Sequence, residues 1–244
     1  MTYMKLMKKA LFLSTILMMS LASCTSENKP ADSPDIRAFG LTGDVSQVYV
    51  TTMTLSTTDP EEKPSSEANE RLELSFDKAG RVTLDSYSNK YEYDADGKFI
   101  MGRTDSTTFT RDSLGRIDTY DNTPDDFETL DFENYLQMKF KYDDKNRVST
   151  VEFGGWEWNT DHKFFYDKDN VYPSKMTFDG GSEGTEYKGE SVYEYISFDQ
   201  KGNWTERKVT STETESEEFS EEAPKTVNRV LTEKRRIVYY SDSK

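Results

Sequence analysis

The stretch Tyr91-Glu92-Tyr93-Asp94-Ala95-Asp96-Gly97-Lys98-Phe99 decides how this chain is read. Aromatic and polar residues alternate up to Tyr93, as on a half-buried strand, and Asp94 then opens a turn that Gly97 closes. An Asp at the first corner accepts hydrogen bonds from backbone N–H groups ahead of it. Two residues follow in the right-handed region, and the next takes φ > 0 to send the chain back. Glycine does this without strain, and asparagine is the next best choice. A type I turn closed by a left-handed residue makes a hairpin with a G1 bulge, so these nine residues predict two antiparallel strands.

The same spelling returns at Phe76-Asp77-Lys78-Ala79-Gly80-Arg81-Val82, Arg111-Asp112-Ser113-Leu114-Gly115-Arg116-Ile117 and Tyr142-Asp143-Asp144-Lys145-Asn146-Arg147-Val148. It returns again in Phe198-Asp199-Gln200-Lys201-Gly202-Asn203-Trp204 and, degenerate, in Tyr166-Asp167-Lys168-Asp169-Asn170-Val171, where Asn146 and Asn170 stand in the glycine position. A repeat of this kind predicts an up-and-down meander. Gln47 to Leu55 is a β-branched run that opens the sheet, and Arg229 to Tyr240 closes it. Thr57 to Asn69 and the glutamate-rich Thr212 to Pro224 are expected as loops, and a short helix after Pro124 with Thr123 as its cap. The fold class expected is all-β: an antiparallel meander of hairpins forming a large twisted or curled sheet. Because twist accumulates from strand to strand, a partly closed barrel is the alternative.

These segments resemble the Tyr-Asp (YD) repeats of RHS-type envelope proteins, whose pattern runs aromatic-x-Tyr-Asp-x-x-Gly-Arg-Leu. Residues 91–99 match best, and Phe140-Lys141-Tyr142-Asp143-Asp144-Lys145-Asn146-Arg147-Val148 comes next. The resemblance spans roughly residues 70–210 and implies a β-sheet protein. In long RHS chains the sheet encloses a toxin, but the repeats here are few and irregularly spaced, so encapsulation is not carried over. The chain looks more like short lipoproteins with degenerate copies.

The N-terminus predicts the location. Lys5, Lys8 and Lys9 precede an apolar run from Ala10 to Leu21 that is too short to span a bilayer comfortably. Leu21-Ala22-Ser23-Cys24 resembles the lipobox of bacterial lipoproteins, which implies a signal peptide over residues 1–23 and lipidation of Cys24. Two or three acyl chains give stable attachment. Thr25, rather than Asp, after the cysteine resembles lipoproteins sent to the outer membrane. Residues 24–35 are polar and read as a flexible tether, and 36–244 as a single β-rich domain. The expected protein is therefore lipid-anchored in the cell envelope.

Composition narrows the function. With 31 basic and 46 acidic residues, a net −15, most of the surface repels a nucleic-acid backbone. One cysteine allows neither an intrachain disulfide nor a cysteine-built zinc site. Glu92, Asp94, Asp96 and Gly97 fit the first half of a calcium loop, which makes Asp94 and Asp96 weak metal candidates. The loop needs a bidentate acid where the chain has Arg103, so no metal or other cofactor is expected. His162 beside Asp161 spells a dyad without a serine or cysteine nucleophile motif. Phe153-Gly154-Gly155-Trp156-Glu157-Trp158 places two tryptophans on the same side of one strand after a Gly-Gly bend. Trp156 and Trp158 are thereby the ligand-binding candidates, as a platform for sugar rings. The expectation is a non-enzymatic binding or scaffold module for a glycan or another envelope protein. The alternative is a glycan-active hydrolase with paired carboxylates.

Overall fold

The structure is a computed structural model that describes residues 33–65, 69–85, 89–102, 107–122, 135–155, 157–217, 220 and 223–242. The described residues fall in one compact unit, Asp32–Lys244. The signal peptide, Cys24 and the helix expected after Pro124 lie outside the described residues. A five-residue helix α1 (Pro34–Ala38) is followed by the strands β1 (Val45–Thr57), β2 (Arg71–Phe76), β3 (Val82–Leu84), β4 (Glu92–Tyr93) and β5 (Phe99–Met101). Then come β6 (Thr108–Arg111), β7 (Ile117–Asp121), β8 (Gln137–Tyr142), β9 (Val148–Gly155) and β10 (Trp158–Phe165). The longest strands come last: β11 (Lys175–Ser182), β12 (Thr185–Phe198), β13 (Trp204–Glu217) and β14 (Lys225–Tyr239).

Twelve strands form one antiparallel sheet in the order β3-β2-β1-β14-β13-β12-β11-β10-β9-β8-β7-β6. Chain order is kept from β6 to β14, and β14 then pairs along the length of β1, from Val45↔Tyr239 to Thr57↔Arg229. The β4–β5 hairpin intervenes in sequence between the edges β3 and β6 and forms its own two-stranded sheet. Through the bridge Leu84↔Lys90 its chain touches β3. The barrel alternative is thus corrected: the sheet curls but does not close into a barrel.

The repeated turns form as their spelling dictates. In each of the five intact copies the Asp carboxylate accepts from two backbone N–H groups, as Asp112 does from Leu114 and Arg116, both at 2.9 Å. Gly80, Gly97, Gly115, Gly202 and Asn146 take positive φ. The degenerate copy departs from this: Lys168, not Asn170, carries the positive φ, and the antiparallel strands β10 and β11 are joined there by a longer connection, residues 166–174. The aromatic and arginine positions have a joint purpose that spacing alone did not disclose. Arg81, Arg116 and Arg147 each pair with the Asp of their own turn at 2.6 Å. Each also stacks on the tyrosine of a neighbouring hairpin: Arg81 on Tyr93, Arg116 on Tyr142 and Arg147 on Tyr166, at 4.7, 4.1 and 4.2 Å. Those phenols donate to the carbonyls of Val82, Ile117 and Val148, the residue after each arginine. One turn is therefore locked by the next hairpin.

The core lies where the two ends of the sheet approach each other. Val48, Val50, Leu74, Phe76 and Val82 from one end share a buried cluster with Ile117, Tyr120, Met138 and Val151 from the other. Ile36 of α1 sits in the same cluster. Beside it Asp35, 1% exposed, accepts from the backbone N–H of Val82 on β3 and takes both terminal nitrogens of Arg111 on β6, at 2.5 and 2.8 Å. One carboxylate so spans the two edge strands. Ser33, which caps α1, and the buried Asp35 thus take part in the fold, although the sequence reading placed them in the tether.

The glutamate-rich loop expectation is also corrected. Glu213, Glu215 and Glu217 lie within β13, opposite Val227 and Lys225 on β14 and Thr185 on β12. Alternation of these glutamates with Thr212, Thr214 and Ser216 suits a strand, and Arg229 offsets the charge by meeting Glu213 at 2.9 Å.

Candidate functional site

Strand parity sets which side chains face inward. Asp161 and His162 are adjacent on β10 and therefore point to opposite faces of the sheet, which separates the expected dyad. His162 sits between the rings of Phe153 and Phe178, at centroid distances of 4.8 and 6.2 Å. Burial there pushes its pKa down, against a smaller upward pull from Asp161.

Asp94 is committed to its turn, accepting from Asp96 and Lys98 at 3.0 and 2.8 Å, and no acid cluster suited to a metal occurs among the described residues. The tryptophan platform is not one strand: β9 runs through Gly154 and Gly155, the chain turns, and β10 starts at Trp158, which pairs with Gly155. Glu157 takes positive φ in that turn, and Trp156 lies outside the described residues. Trp158 packs against the core with its indole above Gly155.

The acids that do stand side by side are Glu152, Asp161 and Asp179, cross-strand neighbours on the opposite face from His162. Asp161 and Asp179 border an open depression together with Lys163, Lys188 and Glu190. Glu152 is taken by Lys141 and Glu190 by Lys175.

Inside the curl lies a different arrangement. A cavity of about 190 Å³ is bounded by Phe140, Val151, Phe153 and Phe164 from β8–β10 and by Tyr193, Trp204, Arg207 and Arg235 from β12–β14. Ala38, Phe39 and Gly40, which follow α1 in the chain, line it as well, with Val171, Tyr172 and Pro173. Backbone at Gly40 passes so close to Val171 that a Cβ would come 3.3 Å from its carbonyl oxygen, and its positive φ of 64° adds to the case for glycine. The 171–174 segment is pinned by Tyr195, whose phenol donates to the Pro173 carbonyl at 2.6 Å, and by the Tyr193 N–H donating to Ser174 at 2.9 Å.

Trp204, 2% exposed, is the centre of the charged end. Arg207 and Arg235 lie 4.3 and 3.9 Å from its ring centroid, in cation–π contact. Arg207 is paired with its cross-strand neighbour Glu233 at 2.6 Å. Burial pulls the Arg207 pKa down, but Glu233 and the neighbouring tyrosines outweigh it and hold it above the ordinary value.

Arg235 differs. Its Nε is closed off from solvent and has no hydrogen-bond partner, and it has no ion pair among the described residues. Burial and then repulsion by Arg207 push its pKa down to about 10, so it is still cationic at neutral pH. Among the described residues Asp85 is the one carboxylate lining the cavity, and it is held by Asn89 and by the Tyr91 phenol at 2.7 Å.

Fold and site together define an all-β protein with an open, curled meander and an aromatic cavity that carries an unmatched guanidinium. Compared with family models and with curated proteins, the chain matches none. Among the described residues no helix is long and apolar enough to cross a membrane.

The sequence reading missed Trp204, Arg207 and Arg235. One signal was present: Trp204 stands in the apolar slot that follows the turn, where earlier copies carry Val82, Phe99, Ile117 and Val148.

Proposed function

We propose that this chain is a lipid-anchored, YD-like lipoprotein of the bacterial envelope, attached at Cys24, and a non-enzymatic module that binds a small ligand. The observation that carries the reading is the cavity beside Trp204, with its aromatic walls and inward guanidinium, which is the composition of a recognition site. Among the described residues its single carboxylate, Asp85, is held by three hydrogen bonds, which counts against the hydrolase alternative at this place. The acids on the outer face border an open depression that offers a substrate no enclosure.

Two measurements test the reading. Metabolic labelling with a fatty acid should mark the wild-type chain and leave Cys24→Ala unlabelled, and label on both would refute the anchor. Saturation-transfer NMR with a panel of small ring compounds should give signals that Val171→Trp, which fills the cavity at its loop, removes. Signals unchanged by that substitution would place binding elsewhere.

A further inference from the structure

Resting on the cavity as the binding site, we infer that its ligand is a small organic acid: a carboxylate on a flat apolar body, with the carboxylate meeting Arg235 and the body lying among Phe153, Phe164 and Tyr193. Three observations carry this. Arg235 supplies guanidinium donors in a fixed fork that matches a carboxylate in two places at once. Its Nε is buried and unpaired and its side chain is part of the cavity wall, whereas the neighbouring Arg207 already holds Glu233. A buried donor without a partner is costly, and a small rotation of the side chain toward a ligand carboxylate would satisfy it. The charged groups around it are few: Arg207 repels it, Glu233 is engaged, and Glu73 attracts it from β2 without forming an ion pair. Trp204 beneath the guanidinium holds it in plane and keeps water from its face.

The rest of the wall fixes the body of the ligand. Most of it is aromatic or aliphatic, and of the three tyrosines in it Tyr166 already gives its phenol to Val148, which leaves Tyr172 and Tyr193 as the phenols that could serve a hydroxylated ring. A sugar acid would leave most of its hydroxyls unpaired there. About 190 Å³ accommodates one ring with a short acidic arm and excludes an oligosaccharide.

The test is calorimetric titration of the full chain with phenylacetate, its neutral amide phenylacetamide, and glucuronate. Phenylacetate should bind at least tenfold more tightly than the amide, since a charge-assisted, desolvated hydrogen bond is worth about a factor of ten or more. Glucuronate should bind more weakly than phenylacetate. Arg235→Met keeps the length and apolar packing of the side chain and should remove the preference for acid over amide while the amide still binds. Equal binding of acid and amide by the wild type would overturn the acid inference and leave the cavity as a binding site. Tighter binding of glucuronate would replace the apolar body with a sugar. Binding of none of the three would refute both the inference and the cavity reading. Should Arg235→Met fail to fold, Glu73→Gln serves instead: removing the competing negative charge should tighten phenylacetate and leave phenylacetamide unchanged. A variant that alters neither would count against Arg235 as the anchor.

Discussion

The guanidinium of Arg116 lies 4.1 Å from the ring centre of Tyr142, a residue on the next hairpin, and that phenol donates at 2.8 Å to the carbonyl of Ile117, the residue after Arg116. The pair explains why an aromatic residue precedes the Asp and a basic residue follows the Gly in the same short motif. Each belongs to a different turn, and together they join consecutive hairpins. Tyr142→Phe should lose about 1 kcal/mol through the missing hydrogen bond, and Arg116→Met a similar amount or more. In a double-mutant cycle of Arg116→Met with Tyr142→Ala, which removes the ring, read by denaturant unfolding, the two should couple by about 0.5–1 kcal/mol. Additive effects would show that the stack contributes nothing.

Gly115 isolates the backbone part of the same device. A Cβ placed there meets nothing within 4 Å, yet its φ is +76°. Gly115→Ala should therefore cost about 1 kcal/mol from conformation alone, whereas Asn146→Gly, at φ 61°, relieves the backbone but loses the hydrogen bond that its amide oxygen accepts from Arg116 at 2.7 Å, so the two effects should largely offset. Thermal unfolding of both variants checks this, and no loss in Gly115→Ala would mean the turn relaxes.

Asp35 is the third point of attack, because one carboxylate holds β3 through Val82 and β6 through Arg111. Asp35→Ala leaves Arg111 without its partner in a partly buried site and should cost about 3 kcal/mol. Hydrogen exchange should then quicken in β3 and β6 before it does in β12 and β13. Uniform acceleration would contradict a local clasp.

His162 gives a pH signature with one resonance to follow, since the chain has a single histidine. Its folded pKa lies below the ordinary 6.5 because burial outweighs Asp161. The unfolded chain then takes up the proton first as pH falls. Stability from this group is complete above about 6.5 and declines as pH drops from there through the folded value. NMR titration of its ring proton should show a midpoint below 6.5, and His162→Phe should remove that part of the pH dependence. A midpoint above 6.5 would contradict burial of the ring between Phe153 and Phe178.

What was legible in the sequence was local. Asp77, Asp94, Asp112, Asp143 and Asp199 hydrogen-bond within five residues, so their turns could be read without knowing what surrounds them. Pairing of β1 with β14 depends on residues almost two hundred positions apart and leaves no local mark. The cavity was hidden for the same reason. Trp204 and Arg235 meet across neighbouring strands, and Phe153 and Phe164 come to the same cavity only because the sheet curls. The glutamates of β13 misled for a related cause: their charge suggests solvent, and only the register of β12 and β14 makes them a strand.

The central claim is that the space beside Trp204 is a ligand site. The most direct measurement is the fluorine NMR spectrum of the chain labelled with 5-fluorotryptophan, with its signals assigned by Trp→Phe substitutions and followed during titration with phenylacetate. The account predicts that the Trp204 resonance moves saturably while that of Trp158 stays in place. A Trp204 resonance that does not move, or a shift equal to that of Trp158, would contradict it.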